Sequence, residues 1–106
     1  MKEVSFEELQ KRLKEKSLVF VDFWGEGCRP CEAILPILER VSSSPLFKDF
    51  EFLSINVTLY PEAGAIYGIF SVPTLIIFKN EEEKDRKVGF VPQDELEQFL
   101  SKWKEE

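Results

Sequence analysis

The sequence predicts an α/β sandwich in which parallel βαβ crossings precede an antiparallel hairpin, with a central mixed sheet of about four strands flanked by about four helices. Three observations carry this reading. Apolar residues at helical spacing alternate along the chain with short β-branched and aromatic runs. The last two strand-like runs are separated only by a polar turn, which suits a hairpin and is too short for a crossover. Finally, 106 residues with 43% hydrophobic content can fill one core, so residues 1–106 read as a single domain.

Each element has a local reason. Ser5 stands three residues before Glu8 and ahead of Phe6, Leu9 and Leu13, a capping box opening an amphipathic helix. Leu18 to Trp24 is apolar without a gap until Asp22, as in a strand buried on both faces. Gly25 and Gly27 allow a turn. Ala33, Ile34, Leu35, Ile37, Leu38 and Val41 then follow a helical pattern that ends in Ser42-Ser43-Ser44-Pro45, with Pro36 expected to kink it. Phe50 to Val57 reads as a strand, and Pro61 to Gly68 as a short helix with Pro at its start and Gly at its stop. Thr74 to Phe78 reads as a strand, Asn80 to Asp85 as a polar turn with Glu81-Glu82-Glu83 at a solvated hairpin tip, and Arg86 to Phe90 as the returning strand. Leu96, Phe99, Leu100 and Trp103 share one face of a last helix opened by Pro92, Asp94 and Glu95.

Composition excludes several function classes. A formal charge of −6, with lysines interleaved among glutamates, argues against nucleic acid and anionic membrane surfaces as partners. No run approaches 18 apolar residues, and the first residues lead into an acidic amphipathic stretch, so the chain reads as cytoplasmic. Histidine is absent, which excludes Ser-His-Asp and Cys-His nucleophiles and His-containing metal sites built from this chain alone. No G-x-G-x-x-G or P-loop pattern is present, so no bound nucleotide cofactor is implied.

The two cysteines are the most informative residues. Cys28-Arg29-Pro30-Cys31 follows a buried strand and a glycine turn and opens a helix. A helix N-terminus offers unpaired N–H groups and the positive end of the dipole, which stabilise a thiolate. Cys28 is therefore the candidate nucleophile, and Cys31, three positions on, is near enough to resolve a mixed disulfide formed there; Pro30 stiffens the short ring. Three other readings compete. A staple closing a four-residue ring would remove only roughly 2 kcal/mol of unfolded-state entropy. A zinc knuckle would need ligands from a second copy or from carboxylates. An inert pair on a fold kept for binding is the third.

Val21-Asp22-Phe23-Trp24, followed by Cys28-Arg29-Pro30-Cys31 and Pro36, resembles the signature of the thioredoxin family. Ser71-Val72-Pro73-Thr74, with its proline forty-two residues past Cys31, resembles that family's cis-proline segment, and Gly89 its substrate-groove glycine. The resemblance spans essentially the whole chain. It implies the thioredoxin fold, a redox-active Cys28–Cys31 disulfide, Cys28 as attacking thiolate and Cys31 as resolving thiol. It also implies Asp22 as proton acceptor or relay, consistent with the raised pKa expected of a carboxylate buried without an ion partner. Pro73 would be cis, with the Val72 backbone pairing to a substrate strand. Trp24 would shield the site, and Gly27, Arg29, Pro30 and Gly89 would border the substrate.

The implied activity is protein thiol-disulfide exchange, reducing substrate disulfides and recharged by a separate reductase, with the protein acting as a monomer. A binding or adaptor module on the same fold, or a disulfide isomerase or oxidant, is the alternative. Four positions depart from the family pattern: Gly27 where tryptophan is usual, Arg29 where glycine is usual, Glu32 in place of a common lysine, and Ser54 where many members place a lysine near the buried aspartate.

Overall fold

The computed structural model describes residues 1–104. In chain order the elements are β1 (Lys2–Glu3), α1 (Phe6–Glu15), β2 (Leu18–Trp24), α2 (Arg29–Ser42), a 3-10 turn (Pro45–Phe47), β3 (Glu51–Asn56), α3 (Pro61–Tyr67), β4 (Thr74–Lys79), β5 (Glu82–Val88) and α4 (Gln93–Ser101). The strands form one mixed sheet in the order β1-β3-β2-β4-β5. β1 and β2 run parallel to β3, while β4 is antiparallel to both β2 and β5. The sheet therefore has five strands, one more than the sequence announces, because a two-residue strand has no periodicity to read.

β2 is the centre of the molecule. Side chains alternate across a strand, so its even and odd residues feed separate cores. Leu18 and Phe20, with Leu75 and Ile77 of β4, pack beneath Ile34, Leu38 and Val41 of α2 and Leu96, Phe99 and Leu100 of α4. Val19, Val21 and Phe23 face the other way, with Ile76 and Phe78, against Leu9 and Leu13 of α1 and Ala63 of α3. Asp22 falls on the α2 side, where only 2% of its surface is exposed.

One helix buries less than its apolar content, and one expectation needs correction. In α2 the buried stripe is Cys31, Ile34, Leu38 and Val41, whereas Ala33 and Leu35 are exposed. The apolar run exceeds one helix face, and the surplus falls outside the core stripe. The hairpin is also tighter than the polar run suggested. Asn80 and Glu81, at φ 51° and 72°, form a two-residue turn, so Lys79 pairs with Glu82 and β5 starts four residues earlier than Arg86 and stops at Val88. Positive φ at both turn residues matches the right-handed twist of the strands it joins. Glu82 and Glu83 thus belong to the edge strand, not to its tip. Their charge, together with a register shift opposite Ile77/Phe78, discourages pairing with another chain.

Ser5 caps α1 by accepting from the Glu8 N–H at 3.1 Å. Arg12, one turn further on, binds both Glu8 and Glu51 of β3, fastening the helix to the sheet. Ser5→Ala should cost about 1 kcal/mol of stability, read as a lower urea midpoint at unchanged slope.

Candidate active site

β2 ends at Trp24, and the chain must reverse to lay α2 back over the sheet. Glycines make the reversal possible. A Cβ on Gly25 would stand 3.3 Å from Thr58 Oγ1 and 3.4 Å from a Val72 methyl, so the backbone passes close to two neighbouring segments. Gly27 has φ +71°, a conformation that costs other L-residues roughly 1–2 kcal/mol. The turn is pinned from β3: Glu26 N–H donates to Thr58 Oγ1 at 3.0 Å, and Asn56 Nδ2 donates to the Glu26 carboxylate at 3.0 Å. Asn56 Oδ1 also accepts from the N–H groups of Thr58 and Leu59. Nothing in the sequence singles out Asn56, Thr58 or Glu26, because their roles arise only once β3 lies beside β2.

Cys28 is the N-cap of α2, with extended φ −97° and ψ 106°, and its Sγ accepts from the Cys31 N–H at 3.1 Å. Sulfur thus occupies the place where a cap normally presents an oxygen to the first-turn amides. The two cysteines are joined as a disulfide with Cα atoms 5.3 Å apart. They differ in access: Cys28 is half-buried, while Cys31 is 6% exposed and sits in the core stripe of α2. Arg29 and Pro30 are exposed on the first turn between them.

The loop before β4 closes over the cap. Val72–Pro73 is a cis peptide, and Val72 O lies 3.6 Å from Cys28 Sγ. Pro73 O accepts from the Gly89 N–H at 2.7 Å, and Thr74 Oγ1 donates to Ser71 O at 2.7 Å. Val72, Pro73 and Gly89 therefore meet Cys28 at one end of the sheet. Exposed apolar side chains flank this meeting point in the chain: Phe70 is 97% exposed, and Val88 and Phe90 border Gly89.

On the other side of the disulfide a cleft of about 180 Å³ is lined by Asp22, Trp24, Gly27 and Cys31, together with Glu3 and Ser54. Asp22 Oδ1 has no hydrogen-bond partner there. Burial, and secondarily the charge of Glu3, push the Asp22 carboxyl up to about 7. Trp24 is partly buried, and its Nε1 donates to the Glu3 carboxylate at 3.0 Å; it borders the cleft and does not sit in the core. Glu3, like Asn56, Thr58 and Glu26, is a site residue that sequence reasoning missed.

Among the described residues no group of three or more potential ligands could hold a metal ion, and no helix is long and apolar enough to cross a membrane. The chemistry available is that of the sulfur pair beside a carboxyl able to change charge near neutral pH.

Comparison with known proteins agrees with this geometry. The family model Thioredoxin matches residues 1–102. A thioredoxin of Rickettsia bellii is 41% identical over 97 residues, covering 92% of this chain and 90% of that protein. One of Rickettsia prowazekii is 38% identical over 84 residues, 79% of each chain. The structure of Plasmodium falciparum thioredoxin superposes with a TM-score of 0.90 at 30% identity, covering 98% of this chain and all of that one. A whole-chain family match, a shared fold and a cysteine pair capping α2 lead to one conclusion: the chain belongs to the thioredoxin family, and Cys28–Cys31 is its redox-active site.

Proposed function

We propose that this thiol-disulfide oxidoreductase works in the reducing direction, with Cys28 attacking and Cys31 resolving. The observation that carries the order of attack is the difference in access between the two sulfurs. Cys28 caps the helix at the surface, and Cys31 lies one turn in, on the core stripe. The Cys28 thiolate attacks a substrate disulfide, forming a mixed disulfide and releasing one substrate thiolate. Cys31 then loses its proton and attacks Cys28 Sγ. The Cys28–Cys31 bond forms, the bond to substrate breaks, and the second substrate thiolate leaves and is protonated. Two electrons pass to the substrate. A separate reductase returns the protein to the dithiol, as for family members generally, and the place of work is the cytoplasm.

Asp22 supplies the acceptor for the Cys31 proton. It shares the cleft with Cys31, and a carboxyl titrating at about 7 can take up and give back a proton at neutral pH. Val72 offers backbone to an extended substrate segment beside Cys28, and Pro73 and Gly89 hold that loop in place. Gly27, Arg29 and Pro30 border the same face, where no tryptophan precedes the first cysteine. Trp24 walls the cleft behind them.

The trapping experiment follows directly. Cys31→Ser should accumulate covalent partners from cell extract, seen as bands on non-reducing gels that collapse with reductant, while Cys28→Ser should trap few. Equal trapping by both would overturn the order of attack, and no trapping by either would favour an adaptor.

Asp22 makes a second, opposed prediction for rate and stability. Its carboxyl is neutral in the folded protein up to about pH 7 but ionises near 3.8 when exposed in the unfolded chain. The unfolded state therefore holds fewer protons between those values. Stability is fully present below about 3.8 and is lost as pH rises through about 7, by up to roughly 4 kcal/mol. Asp22→Asn should unfold at higher urea than the parent at pH 8, with little difference at pH 4. The same variant should slow resolution of the mixed disulfide more than its formation, and stopped-flow traces with an unchanged second step would remove Asp22 from the relay.

A further inference from the structure

We infer that Glu3 is a positioning residue of the redox centre: from edge strand β1 it holds a second carboxylate over Asp22, and so governs when Asp22 can accept the Cys31 proton. The inference deepens the relay reading above and rests on it for its effect on turnover.

The sheet register carries the argument. Glu3 of β1 pairs with Ser54 of β3, and Ser54 in turn pairs with Asp22 of β2. Side chains paired across adjacent strands share a face, so the three residues form one row on the α2 side. Strands lie about 4.8 Å apart, which places Glu3 and Asp22 some two spacings, or about 10 Å, apart at their backbones. The residue between them is small. Ser54 leaves room for the longer Glu3 side chain to lean inward, and its Oγ donates to Glu3 Oε1 at 2.7 Å. Trp24, two residues beyond Asp22 on the same face, donates from Nε1 to the same carboxylate at 3.0 and 3.3 Å. These two donors fix the Glu3 carboxylate over the cleft that Asp22 lines.

Among the described residues no cation offsets the pair. α2 contributes Cys31 and Glu32 to the cleft, and the latter is a third acid. β4 places Leu75 beside Asp22, and beyond it β5 places Lys87 in the same row. The Lys87 ammonium is directed to Glu95 at 3.3 Å and lies 6.0 Å from the Phe99 ring. Met1 packs on the same core, but of the charged groups around Asp22 it is Glu3 that acts on its carboxyl. Ser54 occupies the row position from which a longer basic side chain could have reached both acids. Of the acids that line the cleft beside Asp22, Glu3 is thus the one whose charge raises its carboxyl.

The test is a direct titration of the Asp22 carboxyl by carbon NMR in the reduced protein, alongside the pH profile of mixed-disulfide resolution. Glu3→Gln should move both midpoints to lower pH, by about one unit or less for a unit charge at this separation. Formation of the mixed disulfide should be unaffected. Glu3→Asp keeps the charge and should restore most of the shift, whereas Ser54→Lys should move the midpoints further down. An Asp22 midpoint unmoved by Glu3→Gln would overturn the inference, as would a rate lowered equally at every pH with the midpoints in place, which would make Glu3 only a seat for Trp24. If the Asp22 midpoint moves and the resolution profile does not, Glu3's hold on Asp22 stands and the relay reading falls.

Discussion

β2 is paired on both edges and covered on both faces, and the rest of the molecule is arranged around that constraint. A strand so enclosed can only end by leaving the sheet. It does so at Trp24, where the following turn must be narrow enough to pass Thr58 and Val72 and must admit positive φ. Helix α2 therefore begins directly above the end of the central strand, with its first-turn amides pointing out of the core. The sulfur of Cys28 satisfies one of them. Capping and reactivity are the same interaction here: the hydrogen bond and dipole that secure the helix start also favour negative charge on that sulfur once the disulfide opens.

The same enclosure makes Asp22 costly. A carboxyl on an otherwise apolar strand, with an unpartnered oxygen and an acid in the same row, opposes folding as soon as it ionises. The surrounding packing must offset it. Phe20, Leu75, Ile34 and Leu38 are essentially fully buried around that level of the sheet, and each contributes on the order of 1.5–3 kcal/mol from burial. The carboxyl survives because a large core surrounds a small cleft, which keeps the group dry enough to hold its proton near pH 7.

How far the sequence discloses this depends on where each signal is stored. The helix cap at Ser5, the strand at β2 and the cysteine turn are local patterns, and they appear where the periodicity and caps place them. The oddity of Asp22 is likewise visible, as one charge in an apolar run. Non-local features leave less trace. β1 consists of two residues and exists only through its pairing with β3, so Glu3 looks like one more acidic residue near the start of the chain. The hairpin turn is concealed because Glu81 adopts a positive φ that its side chain does not advertise. Leu35 continues an apolar run, yet it is exposed in the wall of the cleft, a distinction that helical spacing alone does not draw.

These non-local features bear on the departures from the family pattern. Gly27, Arg29 and Glu32 lie on the exposed side of the disulfide, where charge is screened by water and each substitution carries little energy. Ser54 lies on the sheet side, buried in the row that joins Glu3 to Asp22, where a unit of charge would act through a lower dielectric. The two groups of substitutions thus sit in different electrostatic surroundings. The two sets meet at the cleft, because Gly27 and Glu32 line it together with Ser54 and Asp22, so that the face turned to solvent and the face turned to the sheet share one wall.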